Sequence, residues 1–154
     1  APTMNIVSTI FRTIIQLQIR NKSLDQLTAR AEESGKTILT RLANKSDTPQ
    51  SREKLRHIIG IERWGQRRLK TLLGEPAIQD EYDGYQPAET LDFKALRNAF
   101  KQTRTETVTL VRKLQKKGVA DKGTANHNGM GDISVSIWLG YLNQHANFES
   151  KQIK

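Results

Sequence analysis

The sequence predicts an all-α fold, a four-helix bundle with crossover loops and an extra helical segment at its N-terminus. Two observations carry this expectation. Apolar residues recur at three- and four-residue spacing through long segments, which is the period of one helical face. Those segments also begin and end on capping and breaking residues, with two long polar connections between them. At 154 residues the chain is long enough to bury one real core.

The first segment, Asn5 to Arg20, repeats at about four through Ile6, Ile10 and Ile14. Its β-branched residues lower helix propensity, yet it reads as an extra helix packed on the bundle or on a partner. The expected division is residues 1–22 as an apolar helical extension and residues 23–154 as the bundle. Ala1-Pro2-Thr3 ahead of Met4 read as a cloning remnant. Arg12, Gln16 and Gln18 interrupt the apolar stretch and no small-residue cleavage site follows it, so neither a signal peptide nor a membrane span is expected.

Leu24, Leu27, Ala31, Ile38 and Leu42 place the next helix over roughly Leu24 to Ala43. Thr48-Pro49 starts the following one, since threonine caps well and proline suits the first helical position. Leu55, Ile58, Ile61 or Glu62, Gly65, Leu69 and Leu72 then form one stripe until Gly74-Glu75-Pro76 stops it. Glu75 to Thr90, with Pro76, Gly84 and Pro87, reads as a long connection. The clearest helix runs through Phe93, Leu96, Phe100, Thr103, Thr107, Leu110 and Leu114, capped by Asp92 and ended by Lys116-Lys117-Gly118. Gly118 to Gly131 reads as a second polar loop, and Ser134 caps a last helix extending through Gln152.

Composition narrows function. Without cysteine there are no disulfides, thiolate ligands or cysteine nucleophile, and the chain suits a reducing cytoplasm, its expected location. The net charge of +9 raises the question of nucleic acid, but the densest basic stretches, Arg63 to Lys70 and Arg112 to Lys117, alternate with apolar residues as solvated faces do. No basic-aromatic interleaving suggests base stacking, so specific nucleic-acid binding is not expected; charge alone supports only salt-sensitive attraction.

The feature with most chemistry is His145-Ala-Asn-Phe-Glu149. Residues four apart on a helix are neighbours, so both side chains can reach one ion. With His57 from an earlier helix they would make a two-histidine, one-carboxylate site that leaves positions open for water or substrate. Tyr141, one turn before His145, lies on the same face and could hydrogen-bond to bound water or substrate, and Gln152 could donate from behind Glu149. His127, within Asn126-His-Asn-Gly129, reads as a turn residue that could approach the site from outside the ligand set. Glu62 could orient a ligand. It lies five residues beyond His57, however, an offset of about 140° round the helix, so an ion pair at the surface or the core edge is expected instead. Trp64 and Trp138 read as bundle filling.

These anchors carry a resemblance. His57-Ile-Ile-Gly-Ile-Glu62-Arg-Trp64, soon after Thr48-Pro49, resembles the second-helix motif of the DinB-like (DNA-damage-inducible) superfamily, in which a histidine precedes an acid and an aromatic. His127-Asn-Gly-Met-Gly131-Asp-Ile-Ser134-Val-Ser-Ile-Trp138-Leu resembles the loop that leads to its fourth helix, and His145 to Ile153 resembles its His-x-x-x-His-x-x-Gln-Ile ending. The resemblance runs from about Leu24 to Ile153. It implies a bundle, often a homodimer, holding a divalent metal on three histidines, with hydrolase activity or thiol-dependent transfer using a small thiol cosubstrate. His57 falls on the helix-two ligand, His145 on the first helix-four ligand, and Glu149 where the third histidine stands. A carboxylate there still suits zinc, nickel, iron or manganese; alternatively the site is degenerate, Glu149 pairs with a base, and the chain is a non-enzymatic stress or interaction bundle. The small-molecule substrate is not legible.

Overall fold

Four of the long helices start on a side-chain cap that satisfies backbone N–H groups left free by the first turn. In the computed structural model, which describes residues 6–154, α1 spans Ile6–Ile19, α2 Leu24–Leu42, α3 Pro49–Leu69, α4 Phe93–Lys116 and α5 Val135–Ser150. The expectations for Ala1-Pro2-Thr3, Met4 and Asn5 lie outside the described residues. Thr48 Oγ1 accepts from Ser51 N at 3.1 Å with Pro49 in the first turn, Asp92 accepts from Ala95 N at 2.8 Å, and Ser134 Oγ from Ile137 N at 3.2 Å. At α2 the cap is reciprocal: Ser23 Oγ accepts from Gln26 N, and Gln26 Oε1 accepts from Ser23 N. α3 ends as expected before Gly74-Glu-Pro, through one 3₁₀ turn, Lys70–Leu73, that Gly74 closes at φ 96°.

Two connections differ from the sequence reading. Tyr82–Tyr85 inside the Glu75–Thr90 segment form a 3₁₀ turn. The Gly118–Gly131 segment, expected to be only a polar loop, pairs with the residues after it in an antiparallel ribbon, β1 (Thr124–His127) with β2 (Gly131–Ser134), in register Thr124↔Ser134 and His127↔Gly131. Strands of four residues give too short a run for period-two alternation to stand out. One cross-strand pair, Ala125 and Ile133, is buried. The final helix also stops at Ser150, two residues short of Gln152.

α3 lies at the centre, packed on α4, α5 and the 3₁₀ turn at Tyr82. It meets α5 closely because Gly65 has no side chain: a Cβ there would stand 2.8 Å from Leu142 Cδ2 and 3.2 Å from the Trp138 ring. Gly140 on the outer side of α5 likewise admits Ile15 of α1, where a Cβ would lie 2.8 Å from Ile15 Cγ2. Ile15, Trp64, Trp138 and Leu142 share one buried cluster; Ile38, Leu55, Ile58, Phe100 and Ala146 form a second.

Not every charge is solvated. Arg68, read as part of a solvated basic face, is 1% exposed. It donates to Asn126 O at 2.9 Å, Asp80 O at 2.9 Å and Asn128 Oδ1 at 2.9 Å, so one guanidinium joins α3, the long connection and the ribbon. Arg104 of α4 is buried against Glu62 of α3. A planar, five-donor guanidinium can be buried when most of its N–H groups find acceptors.

Candidate metal centre

The N-terminal half of α3 and the C-terminal half of α5 run beside each other, and their facing sides carry the site. His57 Nε2 and His145 Nε2 stand 3.2 Å apart. Glu149, one turn beyond His145, places Oε1 3.9 Å from His145 Nε2. One donor atom from each of His57, His145 and Glu149 falls within a group spanning no more than 4.8 Å. Two nitrogens bound to one ion at about 2.1 Å stand roughly 3.0–3.4 Å apart for the usual coordination angles, and the observed imidazole separation falls in that range.

The electrostatics leave all three groups ready to ligate. Burial lowers His145 to about 4, and the adjacent His57 adds to this. Burial also lowers His57, against the opposing pull of Glu149. For Glu149 burial acts upward, but the hydrogen bond and charge of Lys54 outweigh it and the carboxyl stays below its ordinary value. Neutral imidazoles and an ionised carboxylate are the protonation states that metal binding requires.

Several neighbours were not legible in the sequence. Lys54 Nζ donates to Glu149 Oε2 at 2.7 Å and to Gln152 Oε1 at 3.3 Å. The only signal for it was its position three residues before His57, on the same face of α3. Tyr82, from a connection without periodicity, sets its ring against His57 with centroids 4.9 Å apart. Gln50, Glu53, Lys54, His57, Tyr82 and Gln86 line a cleft of about 440 Å³ that opens on His57.

The remaining sequence candidates separate. Tyr141 lies between His145 and His127, with ring centroids 6.0 Å and 4.7 Å away, and burial raises its phenol so that it keeps its proton. Gln152 reaches Lys54, not a histidine. Glu62 gives both carboxylate oxygens to Arg104, at 2.7 and 3.0 Å, and accepts from Thr107 Oγ1 at 2.9 Å. Its place is thus a buried ion pair on the α4 side of α3, where the 140° offset from His57 directs it, and not an orienting contact to a ligand. His127 ends β1 and packs on Trp64, Trp138 and Tyr141. Its Nδ1 accepts from Gly129 N and Met130 N at 3.0 and 3.1 Å, while Nε2 is buried without a partner among the described residues.

Burial, with Arg68 adding, lowers His127 from 6.5 to about 4. Between those values the unfolded chain binds a proton that the folded chain excludes, so this contribution to stability is complete above pH 6.5 and is lost as pH falls toward 4. His127→Phe is expected to start less stable, having lost the Nδ1 acceptor, and to show a shallower fall in unfolding free energy over that window. Urea titrations at stepped pH check this, and an unchanged slope would show that His127 does not carry it.

No curated protein and no solved structure matches the chain. The family model described as the DinB superfamily matches residues 20–153, covering α2 to α5 and the site, with α1 outside. The chain therefore belongs to the DinB superfamily.

Proposed function

We propose that His57, His145 and Glu149 hold one divalent first-row ion, and that the chain is a metal-dependent enzyme acting on a small molecule admitted through the cleft beside His57. The observation that carries this reading is the donor group itself: two neutral imidazoles and one carboxylate converging from two helices, next to an open cleft. The donor set suits zinc, nickel, iron or manganese. A bound ion would supply Lewis-acid activation of water or of a small thiol, which fits hydrolysis or thiol-dependent transfer.

The chain's own residues have separable tasks in this reading. Lys54 holds Oε2 of Glu149 and leaves Oε1 facing His145, which favours a one-oxygen ligand. Tyr82 closes one side of His57. Tyr141, protonated and beside His145, is placed to donate a hydrogen bond to an anionic group on the substrate.

One observation favours a second reading, a non-enzymatic bundle with a degenerate site: the Lys54 ammonium already sits against Glu149, where a cation is wanted. Metal content decides between them. Protein purified without a histidine tag is expected to carry close to one equivalent of metal and His145→Ala almost none. Loading at a free metal concentration about 100 times Kd should add about 2.7 kcal/mol to the parent's stability. No metal in either protein after reloading with zinc, nickel, manganese or iron(II) would establish the second reading.

The proposal extends to a homodimer through α1. Val7, Ile10, Ile14 and Leu17 follow the three-four-three spacing of a coiled-coil seam and are all exposed, Val7 by 75%. None of these four is charged, so two copies would meet without repulsion. Light scattering is expected to give twice 17.5 kDa for the parent and the monomer mass for Ile10→Asp/Ile14→Asp, with unchanged helical circular dichroism. A monomeric parent would end this assignment.

A further inference from the structure

On the opposite side of α5 from the metal centre, α1, α2 and α5 enclose a groove of about 300 Å³. Asn143 and Asn147 each lie two residues from His145, about 200° round the helix, so their side chains leave α5 away from the donor group. Lys22 and Arg30 stand at the rim of the groove, and Leu27 and Leu139 form its floor. The size falls at the lower end of the range for small-molecule sites.

The groove is rich in donors and lacks acids. The charged heads of Lys22 and Arg30 have no ion-pair partner among the described residues. The acids of α2 turn elsewhere: Asp25 accepts from Gln115, Glu32 pairs with Arg112 and Glu33 with Lys36. α1 contains no acid, and the single acid of α5, Glu149, is on the far side with Lys54. Asn143 and Asn147 have their amide oxygens engaged by Arg104 and Arg41, at 3.0 and 3.2 Å, which leaves their NH₂ groups to donate. Arg41 rests on Asn147 and Ser150 without an acidic partner among the described residues, and its charge adds to the positive potential.

One acceptor breaks this pattern. Gln144 is a residue of the groove wall, and its Oε1 is buried just beneath the surface with no hydrogen-bond partner among the described residues. A buried acceptor left unpaired is costly, and a donor on a bound molecule would relieve it.

We propose that this groove binds a small organic anion, a carboxylate or a phosphate ester, that also carries a hydroxyl donor. The anionic group sits between Lys22 and Arg30, the hydroxyl donates to Gln144 Oε1 once the carboxamide turns toward the groove, and a short hydrocarbon arm lies on Leu27 and Leu139. The site is independent of the metal reading, since no residue is shared.

Calorimetric titration of the full chain at fixed ionic strength tests it, with inorganic phosphate, 3-hydroxybutyrate and butyrate as probes. Saturable binding of 3-hydroxybutyrate, tighter than butyrate, is expected and identifies the carboxylate source; binding of phosphate alone identifies the phosphate source. Lys22→Gln/Arg30→Gln, both at exposed positions, is expected to weaken binding at least tenfold. Gln144→Leu is expected to abolish any preference for the hydroxylated probe while anion binding persists. His145→Ala should leave all of these values in place. No saturable binding of any probe, or affinity unchanged in the double variant, would overturn the proposal, the latter because it assigns the attraction to overall charge.

Discussion

Arg104→Leu is expected to destabilise the chain by about 3–5 kcal/mol, the usual effect of stripping one partner from a buried ion pair. The Arg104 and Glu62 side chains are 5% and 1% exposed. Arg104 also donates to Ala31 O and Asn143 Oδ1, so a single side chain ties α4 to α2, α3 and α5. Removing it leaves the Glu62 carboxylate with only Thr107 Oγ1 as a donor among the described residues. Desolvating a charge is far more expensive than losing the pair, so Glu62→Leu/Arg104→Leu is expected to recover at least about 1 kcal/mol of the loss. Urea unfolding of the parent, the single and the double variant checks both numbers. A cost below about 1 kcal/mol for Arg104→Leu would falsify the view that this pair locks the bundle.

Arg68→Met should cost less, about 3 kcal/mol, because Asp80 keeps 26% of its side-chain surface and can be resolvated. The acceptors Asn126 O and Asn128 Oδ1 lose a charged donor in this variant. The change also has a signature in acid. Burial acts to raise the Asp80 carboxyl, but the Tyr85 hydroxyl and Arg68 outweigh it and hold it below 3.8. Stability from that depressed value is present above 3.8 and is lost as pH falls through the folded-state value. With Arg68 replaced, the acid limb of the stability curve should therefore flatten. Because Tyr82 sits two residues beyond Asp80, loosening this clamp is also expected to raise amide exchange across 79–86, the segment that walls the cleft. Exchange unchanged there would separate the clamp from the site.

The helices were legible because each signal lies within its own segment. Leu24 to Leu42 and Phe93 to Leu114 display their core faces as a repeat, and Thr48-Pro49, Asp92 and Ser134 announce starts through bonds made within three residues. Gly118 to Gly131 was misread because a four-residue ribbon is fixed by its pairing with β2, and no local alternation reports that.

The site divides in the same way. Helical spacing alone put Glu149 one turn beyond His145 on one face of α5, and His57 was offered as their companion from an earlier helix, a choice with which the motif resemblance agreed. Only the packing of α3 on α5, at the approach that Gly65 permits, decides that the two histidines stand 3.2 Å apart. The partners of Glu62, Lys54 and Arg68 were equally beyond sequence. A charge that will be paired across the fold has the same local appearance as one that will be solvated, and what distinguishes them is a partner 12 to 95 residues away. Periodicity and caps are properties of a segment, so the sequence by itself determined the helices and their faces. Distances between segments belong to the packed chain, so only the tertiary structure decided which donors converge, which charges are buried, and that Lys54 shares Glu149 with the candidate metal centre.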